Sequence, residues 1–319
     1  MNFASHPVFQ SLVPVFLMIG AGYAAGRRGW IRGDAVKDLS NLVFLLLIPA
    51  LLFRTMSTVR VDQLDLRPIA AYFSAAGLWL AASIAWRGFN CRSVVLALAG
   101  TFSNMVMIGI TLVGLAYGQA GLVTLLTLVS VHALILLTTG AIVLELAAAR
   151  EASRAGQAPP HLAATAWSAI KGSIVHPIPL PILCGLLFAQ TGWALPAVVD
   201  KPLQLLGNAF GPLSLVLVGV SLARTPLAGH WGPALRVAVS KNLLLPLLVG
   251  VSAWLWGIGG LALTVMVVAA ALPTGANVFL FAQRYKVVQD LTTAAMGVST
   301  VLALLSLSLV MLVMDAWAG

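Results

Sequence analysis

A succession of apolar runs joined by short basic loops constrains this chain more than any other feature. The runs fall at about 7–26, 35–56, 66–86, 92–117, 120–146, 173–190, 202–222, 237–256, 260–282 and 291–314. Most reach the roughly 20 residues that a helix needs to cross a bilayer. Charged residues make up 8% of the chain and hydrophobic ones 60%, against about 25% charged in a soluble domain. The class is therefore an all-α integral membrane protein, and its first partner is the lipid bilayer.

The net charge of +9 suggests nucleic acid in a soluble chain; in a membrane chain it reports orientation, and no nucleic-acid partner is expected. The first run lacks a basic leader and is followed by Arg27 and Arg28, which reads as an uncleaved helix with its N-terminus outside. Alternating from there, the inner loops collect Arg27, Arg28, Arg32, Lys37, Arg87, Arg92, Arg150, Arg154, Lys171, Arg224, Arg236, Lys241, Arg284 and Lys286. Arg54, Arg60, Arg67 and Lys201 stay outside. Ten crossings with both termini outside satisfy the positive-inside rule, in a bacterial inner membrane. The polar stretch 147–172 with Pro159-Pro160 reads as a cytoplasmic linker between halves 1–146 and 173–319.

The halves are related. At a constant spacing of 163 positions, Pro14 matches Pro177, Gly22 Gly185, Gly29 Gly192, Trp30 Trp193 and Pro49 Pro212. Five crossings per half is an odd number, so the repeats must lie in opposite orientations. Inverted repeats of this kind mark secondary transporters.

Two runs are interrupted at corresponding places. In the ninth, Ala271-Leu272-Pro273-Thr274-Gly275-Ala276-Asn277 combines a proline that cannot donate to a helix with a glycine that loosens it. In the fourth, Gly100-Thr101-Phe102-Ser103-Asn104 leads to Gly109 through an apolar stretch. Irregular backbone at membrane depth persists only inside protein or beside a cavity. Paired interruptions point to a transporter binding site, with spans 4 and 9 crossing at mid-membrane. Half-helix N-termini there suit an anion, and the opposite ends offer carbonyls to a cation. The candidate substrate residues are Ser103, Asn104, Gly109, Pro273, Thr274, Gly275 and Asn277.

The chain resembles the auxin efflux carrier family, within the bile-acid/arsenite/riboflavin transporter superfamily. The resemblance is carried by N-L-V-F-L-L-L-I-P-A-L-L-F from Asn41 to Phe53, Ser103-Asn104 with Gly109, Pro246, P-T-G-A-N-V-F-L-F-A-Q-R-Y from Pro273 to Tyr285, and Ser299-Thr300. It implies ten helices, a scaffold part and a transport part, a crossover of helices 4 and 9, and organic-anion substrates such as malonate. It places the family's crossover asparagines on Asn104 and Asn277 and its crossover proline on Pro273.

The carboxylates argue in the same direction. Asp34, Asp38, Asp62, Asp65, Glu151, Asp200, Asp290 and Asp315 fall in loops or at ends, and Glu145 closes the fifth span. Proton relays and cation antiporters commonly use a mid-membrane Asp or Glu, so an anionic cargo fits better. His132 is either a proton carrier or a hydrogen-bonded packing residue. Lys241 either attracts an anion or snorkels to the inner interface. Asn41 and Asn208 are candidates for bonds between helices. Cys91 and Cys184 match no metal spacing, and neither a metal nor a cofactor is expected. Enzyme signatures such as H-E-x-x-H, G-x-S-x-G and a Walker loop are missing from the sequence. The expected function is alternating-access transport of a small organic anion, with H+, Na+ or no ion coupled to it and a homodimer as a candidate assembly. Sodium-coupled uptake of an amphipathic anion is the alternative in the same class, and a sensor or scaffold built on a transporter fold the alternative in another.

Overall fold

The computed structural model describes residues 7–60, 65–156, 178–225 and 229–318. Among these the chain is helical, apart from loops and one isolated antiparallel bridge. Seven helices are long and apolar enough to cross a membrane, and Pro179–Gln190 and Gly260–Ala271 are shorter apolar ones. Large side chains such as Leu17, Leu78, Trp86, Leu187 and Leu305 are exposed; in hydrocarbon that exposure carries no penalty, in water it would. One of the seven, Met105–Arg154, runs for 50 residues. Its backbone breaks at Gly118 (φ 59°, ψ −154°), a conformation essentially reserved for glycine. The break falls at the boundary expected between the fourth and fifth runs. The expected linker at Pro159-Pro160 lies outside the described residues.

The chain divides into two compact units. The first holds Pro7–Arg27, Gly33–Leu42, Ile48–Met56, the segment Met105–Ser130, Pro179–Gln190 and Ala197–Ala223. The second holds Arg67–Arg87, Cys91–Ala99, the long helix from Val131 onward, Trp231–Val239, Leu245–Leu255, Gly260–Ala271, Asn277–Arg284 and Gln289–Ala318. Each unit thus draws helices from both halves of the sequence.

In the first unit, helix Pro7–Arg27 packs on Ala197–Ala223 backbone to backbone. A Cβ on Gly22 would overlap the Val216 carbonyl, and one on Gly219 would overlap that of Ile19. Lipid tails are as apolar as side chains, so close approach through small residues, rather than hydrophobic exclusion, holds such helices together. Arg54 adds a bidentate pair to Asp200, Nε to Oδ1 at 2.7 Å and Nη2 to Oδ2 at 3.1 Å. Both side chains are about a third exposed (37% and 34%), so the pair fixes register more than it adds stability.

Prolines shape both units. Pro49 and Pro246 each follow a widened, π-helical turn, Val43–Leu47 and Ser240–Leu244. Proline cannot donate to the carbonyl four residues back, and its ring collides with it. The turn relaxes by one residue instead: Ile48 donates to the Val43 carbonyl and Leu245 to that of Ser240, each five positions back. The core of the second unit gathers Val94, Leu98, Ala238, Phe281, Ala294 and Val298, and the interrupted helices sit against it.

Candidate functional site

The two interruptions lie side by side within the second unit. Helix Cys91–Ala99 ends at Gly100, and Phe102 N–H still donates to the Leu98 carbonyl at 2.8 Å. Helix Gly260–Ala271 ends at Leu272, whose extended ψ of 151° is the conformation that a following proline imposes. The freed strands then exchange hydrogen bonds. Asn104 N–H donates to the Pro273 carbonyl and Gly275 N–H to the Phe102 carbonyl, each at 2.8 Å, with Ser103 opposite Thr274 as an antiparallel bridge. Backbone groups that two breaks would leave unpaired satisfy one another. Gly275 is required by proximity, since a Cβ there would sit 2.9 Å from Phe102 Cδ1 and 3.2 Å from the Ser103 carbonyl oxygen.

Side chains complete the pairing. Thr274 Oγ1 donates to the Ala99 carbonyl at 2.9 Å, and Thr274 N–H donates to Ser299 Oγ at 2.9 Å. Ser299 Oγ in turn donates to Asn242 Oδ1 at 2.7 Å, while Asn242 Nδ2 donates to the Ser299 carbonyl at 2.8 Å and to Ser306 Oγ at 3.3 Å. Ser103 Oγ shares a hydrogen bond with Tyr72 Oη at 3.1 Å. At the carbonyl end of helix Gly260–Ala271, Lys241 Nζ donates to Ala270 at 2.5 Å and to Leu272 at 2.6 Å. Lys241 is fully buried, so the snorkelling expected for it does not occur. Its direction is set by the widened turn, which carries Lys241 and Asn242 side by side into the unit.

The candidate residues separate accordingly. The hydroxyls of Ser103 and Thr274 are engaged by protein groups, and the Pro273 carbonyl accepts from Asn104. Asn277 opens helix Asn277–Arg284, whose first turn has no side-chain cap. Asn104 and Asn277 are both only half-buried. Gly109 closes the π-helical turn Met105–Gly109 in the first unit and takes no part in the bridge. Asn41 is exposed on helix Gly33–Leu42 of the first unit, and Asn208 is exposed as well. His132 is buried in a box of Phe102, Tyr72 and Phe73, with its ring edge-on to Phe102 at 4.7 Å, and its Nε2 has no partner among the described residues. It packs directly behind the bridge.

Tyr72, Asn242 and Ser306 were not singled out from sequence, and Ser299 only as part of the family resemblance. A tyrosine and scattered serines in apolar runs look like ordinary packing, and only the hydrogen bonds show that they brace the break. The far end of helix Asn277–Arg284 is also held: Glu145 Oε1 accepts from Tyr285 Oη at 2.7 Å and from Arg284 Nη2 at 3.3 Å.

The model of a family described as "Membrane transport protein" matches residues 7–311. The chain is similar to a Rhizobium meliloti (strain 1021) protein named "Putative malonate transporter", 26% identical over 304 residues, covering 92% of this chain and 91% of that one. A match along nearly the whole chain, over a helical membrane fold whose two interruptions pair as described, places this chain in the membrane transport protein family, that of the auxin efflux carriers.

Proposed function

We propose that the protein is a secondary carrier of small carboxylate anions such as malonate, working by alternating access. The observation that carries this reading is the Ser103–Thr274 bridge, flanked by half-buried Asn104 and Asn277. A scaffold needs no such interruption, whereas a carrier needs polar groups and helix N-termini exposed where an anion can reach them. The relative's name supplies the substrate class. Ten crossings as two inverted repeats agree with the helices described: the seven long ones, a division of the longest at Gly118, Pro179–Gln190, and the interrupted pair Gly260–Ala271 and Asn277–Arg284.

The direct test is a panel of malonate, succinate, acetate and indole-3-acetate. Ligands of the folded protein raise its apparent stability, so one or more of the dicarboxylates should raise Tm and be carried into liposomes. Binding without flux selects the sensor alternative. Neither binding nor flux across the panel removes the carboxylate reading.

We further propose that both termini lie outside and the 147–172 stretch inside, in a bacterial inner membrane, as the distribution of Lys and Arg supports. A cysteine introduced as Ala158→Cys, in a Cys184→Ser background, should resist an impermeant maleimide added to intact cells and react after permeabilisation. Labelling of intact cells reverses the topology.

A further inference from the structure

Neither transport nor the family match explains why Lys241 lies buried beside the bridge. Its side chain is fully buried, and among the described residues no carboxylate pairs with it. A buried ammonium without a counter-charge is costly unless dipoles replace its water. Here they do. The Ala270 and Leu272 carbonyls belong to the last turn of helix Gly260–Ala271, where the helix dipole is negative and carbonyls lack helical partners. Ser299 and Asn242, whose hydrogen bonds fasten the Thr274 amide, adjoin the same break.

Carbonyl oxygens at an interrupted half-helix are also what a sodium ion would bind, since hard cations take oxygen ligands. One end of a break cannot hold both. We propose that the Lys241 ammonium is the resident cation of this crossover, occupying the carbonyl end in place of an alkali ion, so that the carrier binds no sodium there. The inference deepens the carrier reading and rests on it only where flux is measured. It also decides between the two transport alternatives, against sodium coupling through this site.

The first measurement uses the wild-type protein alone. Its Tm should be the same in sodium, potassium and choline chloride at equal ionic strength, and a rise specific to sodium overturns the proposal. Malonate flux into liposomes should likewise survive replacement of sodium by choline, and a sodium requirement overturns it. Absence of flux for every carboxylate tested counts against the carrier reading and leaves the Tm comparison intact.

The second measurement vacates the position. Lys241→Ala should melt several degrees below wild type in choline chloride and recover part of that loss in sodium chloride, as an alkali ion enters the emptied carbonyl end. Stability equal to wild type in choline means the ammonium holds nothing. A loss that no alkali cation restores means the carbonyls are not a cation site. Should Lys241→Ala fail to accumulate, Lys241→Gln, which retains polarity without charge, is read the same way.

Discussion

Asn277→Asp is expected to lower carboxylate affinity by about 100-fold or more while leaving the protein at least as stable as wild type. Asn277 stands in the first turn of helix Asn277–Arg284, half-buried and without a side-chain cap. Its amide can donate to an anion, and a hydrogen bond to a charged group is worth about 1.5–3 kcal/mol. Each 1.4 kcal/mol is roughly tenfold in affinity, so Asn277→Ala should cost about 10- to 100-fold. The aspartate removes the donor as well and sets a like charge against the substrate. The same charge is favourable to the helix itself, because a carboxylate near a helix N-terminus typically adds about 0.3–1 kcal/mol. Affinity and stability should therefore move in opposite directions. The matching pair at Asn104 should follow in affinity, though Asn104 also holds the bridge through its backbone. Binding isotherms and melting curves for the four variants decide the matter: affinity that falls in step with stability, whatever the charge, would make the asparagines structural.

Pro273→Ala should reduce flux to about half or less in a protein that still folds and inserts. Proline disfavours a helix interior by about 3 kcal/mol relative to alanine. Without it, the interruption rests on the two bridge bonds, the Thr274–Ser299 and Thr274–Ala99 bonds and the Lys241–Leu272 bond, each worth about 1 kcal/mol net. Helix Gly260–Ala271 can then run on past Leu272, gaining backbone bonds of its own. The two forms become comparable in free energy, and every molecule in the continuous form lacks the bridge. Initial rates in liposomes, set beside Tm, test this. Wild-type flux would make Pro273 a passive kink.

Much of this was legible in the residues. Hydrocarbon admits no unpaired backbone, so a Pro-Thr-Gly break in one apolar run demanded a partner, and Gly100–Asn104 was the stretch able to supply it. The structure joins those two through Phe102, Asn104, Pro273 and Gly275. Crossing-length helices were less simple to count, because the interruption cuts the ninth run into helices of 12 and 8 residues. Directions of side chains were not legible. Ser103 and Thr274 looked equally available to a substrate, yet each hydroxyl turns to a protein group, Tyr72 in one case and the Ala99 carbonyl in the other. The snorkelling alternative for Lys241 fails for a related reason. Its place near the end of a run suggests the interface, and only the widened turn of Ser240–Leu244 sends it inward.

That widened turn couples the direction of Lys241 to the presence of Pro246. Proline at 246 is what keeps the preceding turn from closing to the ordinary four-residue spacing. A residue with an N–H there would let the turn tighten by one position and rotate Lys241 by about 100°, away from the Ala270 and Leu272 carbonyls. Substitutions at the two sites would then be epistatic: whichever comes first removes the contact, and the second finds little left to lose. A lineage could abandon the lysine freely only after abandoning the proline, and a lysine acquired without the proline would point to the wrong neighbours.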